Sequence, residues 1–108
     1  MPSQPRMTIP TQLVLEALLA DPEQELYGVE IGERAELRSG TVHPILARLE
    51  GAGWLASRWE DIDPQAAGRP ARRYYRLTAD GAVAGGRALA GAHRPSLARR
   101  LRPQVSSA

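Results

Sequence analysis

From Ser39 to Glu50 the sequence reads Ser-Gly-Thr-Val-His-Pro-Ile-Leu-Ala-Arg-Leu-Glu. Ser39, Thr41, His43 and Arg48 supply hydrogen-bonding groups of the kind that read base edges or grip phosphates. Their spacing decides whether they act together. Val42, Ile45, Leu46 and Leu49 recur at i, i+3, i+4 and i+7, which predicts a helix with one buried face. The opposite face then carries Gly40, Pro44, Ala47 and Gly51, flanked by His43 and Arg48, with Thr41 beside Arg48. An ordinary solvated helix would show Glu and Lys there. Small residues with a few donors suit entry into a DNA major groove. Ser39 is read as the N-cap, at a helix end whose amides and dipole favour phosphate.

A second candidate site is the basic strip Arg69, Arg72 and Arg73. Arginine suits a narrow, negative minor groove and the phosphate backbone. The competing use is pairing with Glu60, Asp61 and Asp63 on a solvated hairpin. Arg48 faces the same choice, between DNA and the acids Glu50 and Glu16. Tyr27 is expected to pack in the core with its hydroxyl available to a phosphate. Trp54 is expected to fill the seam between helix and hairpin. Trp59 fits the core, a ligand contact or a dimer contact.

These residues need elements to hold them. A first helix is predicted over residues 11–20, capped by Thr8 or Thr11 and ended by Asp21-Pro22. A second runs from Tyr27 to Ala35, and Glu36-Leu37-Arg38 has the length of a helix-turn-helix turn. Alternation predicts strands at Leu55–Glu60 and Ala71–Leu77, joined by a long tip with Gly68 and two prolines. Thr78 caps a last helix, which Pro95 should break or kink. The fold class is mainly α with a small β-hairpin: a winged helix-turn-helix of three helices and a two-stranded wing, plus a C-terminal helix. The expected division is a disordered arm at 1–7, a DNA-binding domain at 8–78, a C-terminal helical region at 79–103 and a disordered tail at 104–108.

Composition narrows the function classes. The 108 residues suit one domain, and the 43% hydrophobic content suits a globular one. With no cysteine there is no disulfide, thiolate metal site or cysteine nucleophile, which fits a cytoplasmic setting. No apolar run spans a bilayer, and residues 1–10 do not read as a signal peptide. Net charge is only +2, but all 14 basic residues are arginine, a bias that GC-rich codon usage also produces. Placement says more: acids dominate Asp21 to Glu36, while arginines dominate Arg69 to Arg76 and Arg94 to Arg102. The two histidines, His43 and His93, lie in different elements, so no metal site is expected. No cofactor is implied. Without a triad, a phosphate loop or paired carboxylates in an apolar setting, an enzyme is not indicated.

One further pattern joins these pieces. Tyr27-Gly-Val-Glu-Ile31, the Ser39–Glu50 helix, Gly53-Trp-Leu55, and Gly68-Arg-Pro-Ala-Arg-Arg-Tyr-Tyr-Arg-Leu-Thr78 with Gly81 resemble the PadR family of transcriptional regulators. The resemblance covers about residues 9–83. It implies a repressor that binds double-stranded DNA at a palindromic operator, as a homodimer built on its N- and C-terminal helices, and that answers to a small-molecule effector. This sequence departs from the family in carrying His43 where tyrosine is usual. Its C-terminal part is brief, Gly-rich and interrupted by Pro95, where the family dimerises through a long helix. The alternative reading is a winged helix that binds protein through the acidic stretch from Asp21 to Glu36.

Overall fold

A computed structural model describes residues 4–106, with side chains through residue 92. Eight elements follow in order: α1 (Ile9–Leu19), β1 (Leu26–Tyr27), α2 (Gly28–Ala35), α3 (Ser39–Gly51), β2 (Leu55–Trp59), α4 (Pro64–Ala67), β3 (Arg73–Leu77) and α5 (Ala79–Ser106). The Thr8 hydroxyl caps α1 by accepting from the Thr11 amide at 3.3 Å, and Pro10 sits in the first turn, where no intrahelical donor is needed. Val14, Leu15 and Leu18 turn inward.

The turn between α2 and α3 is built from backbone. Glu36 takes the left-handed conformation (φ 58°), and the Leu37 amide donates to the Gly32 carbonyl at 2.9 Å. This draws the Leu37 carbonyl so close to Gly32 that a Cβ there would lie 2.9 Å away. Helix α3 then begins at Ser39, but its N-cap is Arg38, whose carbonyl accepts from Thr41 at 2.9 Å and Val42 at 3.0 Å. Ser39 is therefore the first helical residue rather than the cap. Arg38 has the extended backbone a cap needs, and among the described residues no side chain caps the exposed amides.

The sheet is antiparallel, in the order β1-β3-β2. Leu55 pairs with Leu77, Ser57 with Tyr75 and Trp59 with Arg73; Leu26 of β1 pairs with Tyr75. The two-stranded wing expected from sequence thus gains a third strand from Leu26–Tyr27. A two-residue strand is too short to show alternation, so Tyr27 reads from sequence as the start of a helix. The hairpin tip also holds the short helix α4, capped by the Asp63 carboxylate on the Gln65 amide at 3.0 Å.

The core joins α1, α2, α3 and one sheet face through Val14, Leu15, Ile31, Val42, Leu46, Leu49, Leu55 and Leu77. Val42, Leu46 and Leu49 are fully inaccessible, and burying each contributes about 1.5–3 kcal/mol. Trp54 is buried in that core as well, and it also seats α5. The Thr78 hydroxyl donates to the Gly53 carbonyl at 2.8 Å and accepts from the Gly81 amide at 2.9 Å. At Gly81 a Cβ would overlap the Trp54 backbone, and at Gly85 it would press on Leu15 and the Trp54 ring. Two of the glycines that weaken α5 by propensity are thus where it docks. The helix runs on through Pro95 to Ser106, so the expected break is absent and residues 104–106 belong to it. Proline removes one donor, and the flanking Ala, Arg and Leu are strong helix formers. The side chains of His93, Arg94, Arg99, Arg100 and Arg102 lie outside the described residues.

Candidate nucleic-acid interface

Helix α3 is two-sided. Val42, Ile45, Leu46 and Leu49 are at most 2% exposed, while Ser39, Gly40, Thr41, His43, Pro44, Ala47 and Arg48 are all exposed. The outer face projects no bulky side chain except His43 and Arg48. Pro44 has no amide hydrogen to donate to the Gly40 carbonyl one turn earlier. Arg48 makes no hydrogen bond or ion pair among the described residues; Glu50, one of its candidate partners, is engaged by Arg73 instead. The His43 imidazole packs over Gly28 at the start of α2, where a Cβ would lie 3.0 Å from its Cε1.

The three wing arginines have partners within the chain. Arg69 makes a forked pair with Glu60, Nη1 to Oε1 at 2.7 Å and Nη2 to Oε2 at 3.0 Å. The same carboxylate accepts from the Arg72 backbone amide at 3.2 Å. The Arg69 guanidinium first, then the Arg72 amide, hold the Glu60 carboxyl down at about 2. Arg72 lays its guanidinium 4.4 Å from the centre of the Tyr27 ring, which meets Tyr74 edge-on at 5.7 Å. Arg73 bonds to Ser57 and Glu50 and lies 5.7 Å from the rings of both Trp59 and Tyr75.

Tyr27 is therefore half-buried among β3 residues, in a stack rather than in the apolar core. On the same outer sheet face Arg58 pairs with Glu25 at 2.8 Å and lies over the Tyr74 ring at 5.2 Å. That bond to Arg58 lowers the Glu25 carboxyl below its usual range. Part of the acidic stretch is thus paired within the chain. Trp59 is 63% exposed, so it is not core. It borders a cleft of about 340 Å³ lined by Tyr27, Gly28, Val29, His43, Arg73 and Tyr75. Sequence reasoning brought neither Val29 nor Glu50 to this region. The alternation that places Ser57 and Trp59 on one sheet side was the available signal for Trp59.

The model of the transcriptional regulator PadR-like family matches residues 14–86. The chain belongs to that family. Its members are transcriptional regulators and not enzymes, and the fold is their winged helix. The PcaV regulator of Streptomyces coelicolor, solved with its natural ligand, is similar at 29% identity and a TM-score of 0.69. The match covers 94% of this chain and 66% of that one. A PadR family regulator from Clostridium difficile is similar at 21% identity and a TM-score of 0.61, over 91% of this chain and 98% of its own. Bordetella bronchiseptica BpsR, whose DNA binding is regulated by 6-hydroxynicotinic acid, is similar at 22% identity and a TM-score of 0.59, over 91% of this chain and 64% of its own. No curated protein matches the sequence significantly. Among the described residues no helix is long and apolar enough to cross a membrane, and no cluster of His, Asp and Glu could hold a metal ion.

Proposed function

We propose that this PadR-family regulator is a sequence-specific repressor that reads DNA with the outer face of α3. One observation carries the reading. A helix sealed on one side by four buried apolar residues presents on the other Ser39, Gly40, Thr41, His43, Pro44, Ala47 and Arg48, all exposed and nearly without bulk. Ser39 and Thr41 stand in the first turn, where amides and dipole favour a phosphate. Tyr27, Arg69, Arg72 and Arg73 stand on the wing side and act on the DNA backbone. Selection from a random pool of duplexes with the purified protein tests this. A recovered motif supports the reading; binding indifferent to sequence, or no binding, sinks it and favours a protein-binding winged helix.

Two finer features belong to the same proposal. The protein acts as a homodimer on a palindrome, pairing through residues 79–103 and the N-terminal helix. Support comes from Val83, 56% exposed, Ile9, 51% exposed, and a shallow groove lined by Glu16, Gly86, Leu89 and Ala90. Half-sites centred about 34 Å apart are the expected signature, and a monomer by light scattering would contradict it. A small-molecule ligand in the Trp59–His43 cleft releases the DNA; PcaV was solved with its natural ligand, and DNA binding by BpsR is regulated by 6-hydroxynicotinic acid. Quenching of tryptophan fluorescence by an aromatic acid, lost in Trp59→Leu, would support that site.

A further inference from the structure

A ring of three side chains ties the last turn of α3 to both long strands. On β2 the Ser57 hydroxyl donates to Glu50 Oε2. On β3 the Arg73 Nε donates to the Ser57 hydroxyl oxygen at 3.0 Å, and its Nη2 donates to Glu50 Oε1 at 3.1 Å. Each contact alone is a surface interaction of small weight. The closure gives it consequence. Glu50, Ser57 and Arg73 come from three different elements, so tilting α3 away from the sheet breaks two contacts together.

The sign of the charge sharpens the point. Glu50 is an acid beside a surface proposed to face DNA, where a carboxylate opposes binding by repulsion. On charge alone its removal strengthens binding to every duplex. Base readout needs the helix placed to a fraction of an ångström, whereas phosphate contacts carry no sequence information. We infer that Glu50 is a positioning residue: held by Ser57 and Arg73, it sets the angle between α3 and the wing, and thereby sequence discrimination, without itself touching DNA. The inference rests on the DNA-reading function proposed above.

The test uses the full chain, the duplex that the wild type selects from a random pool, and a scrambled duplex of the same composition. The readout is the ratio of the two affinities, with thermal melting as the check of folding. In Glu50→Ala the scrambled duplex is bound more tightly, yet the ratio falls roughly tenfold, because both contacts of α3 to the sheet are lost together. Ser57→Ala changes no charge and removes the middle of the ring. It lowers the ratio comparably with little change on scrambled DNA, while Ser57→Thr, which keeps the hydroxyl, holds the wild-type ratio. Should Glu50→Ala fail to melt cooperatively, the Ser57 pair decides the matter. Equal gains on both duplexes in Glu50→Ala, or a wild-type ratio in Ser57→Ala, overturns the positioning role. A wild type that discriminates among no duplexes removes the DNA reading itself, and the positioning role with it.

Discussion

The outer face of α3 and the wing both present polar groups to solvent, but in opposite states. On α3, Arg48 is unpaired among the described residues and the first-turn amides have no side-chain cap. On the wing, Arg69 and Arg73 are held by Glu60 and Glu50, and Arg72 rests on Tyr27. The helix offers groups that would lose only water on meeting a partner. On the wing, Arg69 and Arg73 can offer a guanidinium only by sharing it with the carboxylate that already holds it. A count of arginines therefore overstates the charge the wing can deliver. What the wing gains is order: its cations are aimed before any partner arrives.

The largest effect that would sharpen this contrast comes from adjacent residues of α3. Leu46→Ala should cost about 3 kcal/mol in urea unfolding, since the site is fully buried. Ala47→Leu should leave stability within about 0.5 kcal/mol yet sharply weaken binding to the selected duplex in a gel shift. Stability loss in the second variant would mean that the outer face is packed. Next, Arg48→Ala should lower affinity roughly tenfold without lowering the melting temperature. If Arg48 grips phosphate, the slope of log affinity against log salt should shrink by about 0.9. Arg69→Ala should do less, because its fork is already occupied by Glu60. An effect as large as that of Arg48→Ala would break the comparison.

The smallest effect is one of acidity. Glu60 is depressed from an ordinary 4.5 to about 2, so its stabilising contribution is complete above 4.5 and is lost as pH falls through about 2. Acid unfolding of Glu60→Gln should therefore show a flatter pH dependence between those values than the wild type. Identical profiles would mean that the Arg69–Glu60 fork does not persist in solution.

Much of the fold was legible because helical period and alternation are local. Val42 through Leu49 specify α3, and Tyr75 with Leu77 specifies the inward side of β3. What was not legible came from pairing across the chain. Leu26–Tyr27 becomes a strand only because β3 lies beside it. Arg73 meets Glu50 only because α3 ends next to the wing, 23 residues away in sequence. The cap at Ser39 was misread by one residue, since a serine at a helix start looks the same at either position. Pro95 carries a strong local signal against helix, and the surrounding residues override it. Among the candidate contacts, the outer face of α3 followed directly from its period. The engagement of Arg69 and Arg73 could only be posed as a choice.

Gly81 carries a consequence for mechanics. It lies near one end of a helix of 28 residues, which at 1.5 Å per residue is roughly 42 Å long. Because the Trp54 backbone sits where a Cβ would go, and Gly85 lies against Leu15 and the Trp54 ring, the first two turns of α5 are pinned and the stretch beyond Gly85 is the arm. A tilt of about 5° there displaces the far end by roughly 3 Å, given that rise per residue. Trp54 directly precedes β2, so leverage applied to the arm is delivered at the root of the wing.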